Sequence, residues 1–268
     1  MGRVLITGCS TGFGRAAAAE LTKRGHEVVA TARKPETLED LDVAARIPLD
    51  VDDDASVGAA VAGAGELDAL VNNAGFGHHG PIEKVPVTEG KRVFETNVWG
   101  TVRMIQAVLP GMRTRGRGTI VNVTSLAGRV APPIDGFYPA SKMAVEGISE
   151  ALHYEVGNFG IRVRIVEPGV FETAFQGRVT EFGLDEVPYD ELNRQWFEAR
   201  DKLLGGEEAP GPEAVAATIA DAVEFEGPKL RWPVGADAEL VIGARTTMND
   251  EEFETAMRDT LGLEWGRE

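Results

Sequence analysis

Three residues have types and spacing that could do chemistry: Ser125, Tyr138 thirteen residues on, and Lys142 four beyond that. The stretch 138–156 repeats Ala, Val, Ile and Leu along one face and reads as a helix. Residues four apart on a helix point the same way, which places the Lys142 ammonium beside the Tyr138 phenol. A phenol with its ordinary pKa of about 10 is a poor acid near neutrality, and lowering it by about three units needs roughly 4 kcal/mol. One ammonium at about 4 Å, in an effective dielectric of about 20, supplies about that much. The pair is therefore expected to give a proton to a carbonyl oxygen, with the Ser125 hydroxyl as a second hydrogen-bond donor. The Tyr–Lys spacing alone would equally suit a solvated surface helix. The elements around it decide between the two.

Strand and helix signals alternate from the first residues. Apolar strands are expected at 3–7, 26–32, 46–50, 66–75, 118–125, 161–169 and 229–234. Helical patterns lie between them, at 13–25, from Pro35, at 52–64, at 88–97, at 98–115 with a break at Pro110, and from Tyr138. This order calls for an α/β chain: a single-domain, doubly wound Rossmann fold over 1–268, with a seven-stranded parallel sheet and helices on both faces. Residues 174–211 interrupt the rhythm. They are charged and rich in Gly and Pro, yet hold Phe175, Phe182, Tyr189, Trp196 and Phe197, and read as a substrate lid. Residues 236–268 read as a C-terminal extension ending in a helix.

The first strand runs into Gly8, Ser10, Thr11, Gly12, Phe13 and Gly14, ahead of an Ala-rich helix. Glycines there allow tight turns and close approach to phosphates, and the helix N-terminus offers unpaired N–H groups. The end of the second strand carries Arg33 and Lys34 where an NAD-type site usually has a carboxylate for the ribose hydroxyls. A guanidinium pairs well with a 2′-phosphate, so NADP(H) is the expected cofactor and NAD(H) the alternative. Asp50, with Val51 after it, ends the third strand and would face the adenine.

Composition narrows the remaining classes. The net charge is −16, with 8 basic and 21 acidic residues from 185 to 268, which argues against nucleic-acid and anionic-membrane partners. No apolar run is long enough to span a bilayer, no leader pattern precedes the first strand, and a cytoplasmic location is expected. The single cysteine, Cys9, and four unclustered histidines give no disulfide and no expected metal site.

Taken together, Thr7-Gly8-x(3)-Gly12-x-Gly14, Asn72-Asn73-Ala74-Gly75, Asn97, Ser125, Tyr138-x(3)-Lys142 and Pro168-Gly169 resemble the short-chain dehydrogenase/reductase family in its compact single-domain branch. The resemblance covers roughly residues 3–235. It implies that Tyr138 is the acid/base, that Lys142 lowers its pKa and binds the nicotinamide ribose, and that Ser125 polarises the carbonyl. Asn97 would hold a water leading from Lys142 to solvent. Asn73, Ala74 and Gly75 would line the adenosine side, and Pro168, Gly169, Val170 and Thr173 the nicotinamide. Thr11 stands where many NADP-preferring relatives have a base, which leaves more of the phosphate to Arg33. Residues 30–38 and the Val166–Gly169 strand end resemble the steroid- and retinol-type branch more weakly, implying a bulky, largely apolar ketone or alcohol. Phe76, His78, Ala127, Phe171, Phe175 and Phe182 are the expected pocket residues. The resemblance also implies a homodimer or homotetramer. A silent dinucleotide sensor and a nucleotide-sugar epimerase or dehydratase are the competing classes.

Overall fold

Short strands, the central ones buried on both sides, set the frame of the computed structural model, which describes residues 1–173, 179–203 and 209–263. In chain order the strands are β1 (Arg3–Ile6), β2 (Glu27–Ala32), β3 (Ala45–Pro48), β4 (Ala69–Asn72), β5 (His78–His79), β6 (Gly118–Val123), β7 (Ile161–Pro168), β8 (Thr180–Glu181) and β9 (Arg231–Val234). β5 and β8 pair with each other, and the other seven form one sheet in the order β3-β2-β1-β4-β6-β7-β9, with every neighbour parallel. The order reverses beside β1, so a crevice opens between the carboxyl ends of β1 and β4, where doubly wound folds place ligands.

Alternation along β1 shows how the layers form. Val4 and Ile6 face a core with Ala17, Ala18 and Leu21 of α1 (Gly12–Lys23) and Val215, Ile219 and Val223 of α7 (Glu213–Glu224). Leu5 faces the other core, against Val57 and Ala60 of α2 (Asp54–Ala64) and Met104, Val108 and Met112 of α4 (Thr101–Arg115). Leu152 and Val156 of α5 (Phe137–Val156) complete that side. Successive residues of a strand point to opposite faces, so apolar residues at every position require cover on both.

Pro110 does not break the helix around it: α4 runs from Thr101 to Arg115 with Pro110 inside. A proline there removes one backbone donor and crowds one carbonyl, a cost of about 3 kcal/mol that burial of Met104, Ile105, Val108 and Met112 offsets. A π-helical turn, Glu95–Gly100, joins α3 (Val87–Phe94) to α4 and carries Asn97. Such turns cluster at functional sites.

The chain after β9 forms two helices, α8 (Ala236–Thr247) and α9 (Asp250–Leu261). α6 (Asp190–Leu203) packs on α9 through a small separate core of Ala199, Leu261 and Leu263, with Trp196 and Met257 against it. Among the described residues no helix is long and apolar enough to cross a membrane.

Candidate active site

Polar ties fix the elements that converge on the crevice. A buried ladder runs from Asn72 Nδ2 to Asn122 Oδ1 (2.9 Å), from Asn122 Nδ2 to Ser149 Oγ (2.8 Å), and from Ser149 Oγ to the Val145 carbonyl (2.6 Å). It locks β4, β6 and α5 in register, and α5 carries Tyr138 and Lys142. A buried ionic group does the same for β7 and β9. Arg231 bonds Glu146 at 2.9 Å, Arg129 bonds Glu167 at 3.2 Å, and Thr124 Oγ1 donates to Glu146 at 2.6 Å.

The crevice is a continuous cleft of about 870 Å³. At one end the glycine loop opens on it through Gly8, Ser10, Thr11, Gly12 and Phe13. Gly8 and Gly12 take φ of +74° and +59°, the left-handed region that favours glycine. Asn73 Nδ2 holds the loop by donating to the Thr7 carbonyl at 2.9 Å and the Gly8 carbonyl at 3.2 Å. Thr7 Oγ1 accepts from the Asn73 and Ala74 N–H groups, both at 2.9 Å. Arg33, Asp50, Val51, Asn73, Ala74 and Gly75 line the same end, and Arg33 makes no ion pair among the described residues. Gly14 lies buried behind the loop. Lys34 is exposed outside the lining, and its carbonyl accepts from Thr37 Oγ1 at 2.7 Å.

These residues fit a nicotinamide dinucleotide. Glycine backbone opens onto the cleft, and the first turn of α1 has no acidic side chain to neutralise its positive end.

Midway, Ser125, Tyr138 and Lys142 come together in the cleft wall. The Ser125 hydroxyl and the Tyr138 phenol share a hydrogen bond. Ser125 Oγ also accepts from the Ala127 N–H at 3.0 Å, which holds it in place. Lys142 Nζ donates to the Val123 carbonyl at 3.0 Å and sits 5.7 Å from the Tyr138 ring centre. Asn97 lies just behind the cleft. Its Nδ2 donates to Phe76 O and Ser141 Oγ, both at 2.9 Å, and its Oδ1 accepts from Phe76 N at 3.0 Å.

The electrostatics correct one expectation. The Tyr138 pKa is held above its ordinary value, not below: burial raises it, the Ser125 bond lowers it, and the Asp135 carboxyl raises it again. Lys142 is turned towards the Val123 carbonyl, and its own charge is disfavoured. Burial brings it down to about 8 against the opposing pull of Glu146. A simple estimate at 4 Å leaves out the desolvation that both partners undergo.

Pro168, Gly169, Val170 and Thr173 line the next stretch. Asp237, near the start of α8, accepts from Val170 N–H at 2.7 Å and lies where any Gly169 side chain would have to go. Beyond it the cleft runs between Leu240, Val241 and Ala244 of α8 and Phe253, Ala256 and Met257 of α9. Trp196, Ala199 and Arg200 of α6 close that wall. Sequence patterns placed a helix at α9 but gave no sign that it borders the site. An amphipathic face reads as core whichever cavity it lines.

Of the expected pocket residues, Phe76, His78, Ala127 and Phe171 line the cleft. His78 is 2% exposed and packs edge-on to Phe137 and Phe182, while Phe171 is 5% exposed and packs edge-on to Phe13. Both support the wall more than they project from it. Phe182 stands outside the lining and donates its N–H to His79 O at 2.9 Å, which secures the β5–β8 ribbon. Phe175, and with it part of the 174–211 segment, lies outside the described residues.

Residues 3–182 match the family model described as short chain dehydrogenase. The chain is 37% identical to a 3-ketodihydrosphingosine reductase of Bacteroides thetaiotaomicron over 265 residues, covering 95% of this chain and 96% of that one. It is 37% identical to human retinol dehydrogenase 8 over 251 residues, covering 85% and 79%. A short-chain dehydrogenase from Streptomyces avermitilis superposes with a TM-score of 0.82 at 34% identity, covering 99% of both chains.

Proposed function

This chain belongs to the short-chain dehydrogenase family, an oxidoreductase family that binds nicotinamide dinucleotides, and on that premise we propose that it reduces a bulky, largely apolar ketone to its alcohol with NADPH. One observation carries the reading. A single cleft joins the glycine loop to Ser125, Tyr138 and Lys142 and continues into a chamber walled by Leu240, Val241, Phe253 and Met257. The nicotinamide, when bound, supplies the hydride. Tyr138 supplies the proton to the carbonyl oxygen, Ser125 donates a second hydrogen bond to it, and Lys142 places positive charge beside both. The raised Tyr138 pKa keeps the phenol protonated through neutrality, the form that reduction needs. A substrate resembling those of the two named relatives suits the apolar chamber. The test is NADPH consumption by the purified chain over ketones of increasing chain length. Turnover that improves with apolar length supports the proposal, and no turnover across the series by a protein that binds NADPH would return the sensor reading.

Arg33 is assigned to the 2′-phosphate. Arg33→Ala is expected to weaken NADPH by about 10- to 100-fold, the range for losing charge-assisted hydrogen bonds, and NADH by far less. Titration of both dinucleotides by fluorescence checks this, and equal losses would reject the assignment.

The Lys142 pKa of about 8 sets a pH limb. The ammonium is held below that pH and lost above it, so kcat/KM for reduction is expected to fall above about pH 8. Glu146 favours the charged form, so Glu146→Gln should move the limb to lower pH. A limb in the same place in both proteins would assign it to another group.

A further inference from the structure

The reductase reading leaves one charge in the cleft wall unused. Asp237 lines the same cleft as Ser125, Tyr138 and Lys142 and is half-buried. Its Oδ2 accepts from Val170 N–H at 2.7 Å, and the arginines flanking it in sequence are engaged elsewhere, Arg231 with Glu146 and Glu150, and Arg245 with Asp250. Other carboxyl groups lining the cleft are matched or distant. Glu89 bonds Arg92 at 2.6 Å, Glu95 pairs with Arg103, and Asp52 accepts from Thr96 Oγ1 at 2.9 Å. Asp50 lies at the glycine-loop end with Arg33. Asp135 sits at the bridge to Gly80, and burial pushes it up to about 7, so part of its charge is already lost at neutrality.

The backbone places Asp237 close to the reacting centre. Ser125 Oγ donates to the Pro168 carbonyl at 3.4 Å, and the next residue is Gly169. Asp237 Oδ1 fills the space of a Gly169 side chain. It also needs a glycine at 235, where φ is +107° and a Cβ would lie 2.7 Å from the same oxygen. Gly169 N–H donates to Val234 O at 2.9 Å, which ties this strand end to β9 and so to the start of α8. α8 in turn packs on the Leu126–Gly128 turn that follows Ser125. The carboxylate is therefore one peptide unit from the carbonyl that Ser125 touches, and it stands in the first turn of α8, where a helix favours negative charge. Hydride transfer to a carbonyl held by Ser125 and Tyr138 requires the nicotinamide beside them, on the wall that Gly169, Val170 and Asp237 form.

We propose that Asp237 sets which oxidation state of the dinucleotide this chain prefers, its carboxylate favouring the oxidised, positively charged nicotinamide over the neutral reduced one. This rests on the dinucleotide site of the reductase reading and deepens it. The bond to Val170 N–H needs only an acceptor and acts alike on both states, whereas the charge acts on one. In reduction the oxidised dinucleotide is the product, so Asp237 makes the protein retain its product and leaves it open to inhibition by it.

The test is calorimetric titration of NADP⁺ and NADPH separately. Asp237→Asn keeps the size of the side chain and an acceptor for Val170 N–H, and removes the charge. It should weaken NADP⁺ by about 5- to 30-fold, the range for unit charges about 8 Å apart in an effective dielectric of about 20 to 40, and leave NADPH within about threefold. Asp237→Ser, shorter and also neutral, should shift the ratio of the two affinities in the same direction. Glu239→Gln is the control: Glu239 is exposed on α8 outside the cleft lining, so the same loss of net charge there should leave the ratio unchanged. Equal losses for both dinucleotides in Asp237→Asn would make Asp237 a structural tie only, and an equal ratio shift in Glu239→Gln would assign the effect to net charge. Either result would overturn the proposal. Neither titration needs turnover. A ratio shift in a protein that reduces no ketone would remove the reductase reading and keep this one, and an unshifted ratio in a working reductase would do the reverse.

Discussion

Tyr138→Phe is expected to lower kcat for ketone reduction by about 10²- to 10⁴-fold, the span of a positioned general acid, while NADPH affinity stays the same. The substitution removes one oxygen from a phenol that lies in the cleft wall and is hydrogen-bonded to Ser125. It leaves the ring, the α5 register and the glycine loop in place. Ser125 keeps its bond from the Ala127 N–H, so stability should change by less than about 1 kcal/mol. A fall in rate with unchanged melting temperature and unchanged dinucleotide titration would locate the effect in proton transfer. A rate within a few-fold of the unsubstituted protein would mean that another group gives the proton, and the proposed chemistry would fail. The same pair of proteins separates enzyme from sensor, because a sensor has no rate for Tyr138→Phe to lower.

The parts of this site legible in sequence are those set by local geometry. Tyr138 and Lys142 share a face because α5 is a helix, and Gly8 and Gly12 mark a strand-to-helix turn because their backbone takes positive φ. The sheet was legible because its central strands, β1, β4 and β6, are buried on both sides and carry near-continuous apolar runs. What depends on distant segments meeting was not legible. Two residues at 78–79 pair with two at 180–181, about a hundred positions apart, and no periodicity marks so short a strand. Asp135 reads as an ordinary loop acid until Ile134 and Gly80 are seen turning it into the cleft. The Tyr138 pKa went the other way because spacing reports which charges are near and says nothing of how much water each has lost. Pro110 shows the same limit: the local rule predicts a break, and the buried face of α4 overrides it.

Gly14→Ala is expected to damage cofactor binding more than Gly12→Ala. Its φ is not positive, so alanine is acceptable to the backbone and would favour the helix by up to about 1 kcal/mol. The obstacle is space. A Cβ at Gly14 would overlap Asn73 Nδ2 and lie 2.6 Å from the Gly8 carbonyl oxygen. Asn73 Nδ2 is the group that ties the end of β4 to Thr7 and Gly8. Relieving the clash therefore moves the loop that faces the dinucleotide, at a cost of about 1–3 kcal/mol for overpacking. The expected outcome is a lower melting temperature together with dinucleotide binding weaker by about 5- to 150-fold, since about 1.4 kcal/mol corresponds to a factor of ten. Gly58→Ala is the control: it lies in α2 with nothing within 4 Å of the new methyl, so it should raise stability slightly through helix propensity and leave binding alone. Gly12→Ala divides the two causes further, because φ there is +59° but the nearest atom to a Cβ is Thr173 Cβ at 3.6 Å. It should show backbone strain without a clash and fall between the other two. Unchanged binding in Gly14→Ala would mean that the loop shifts freely, and that close packing of α1 against Asn73 does not set the shape of the dinucleotide site.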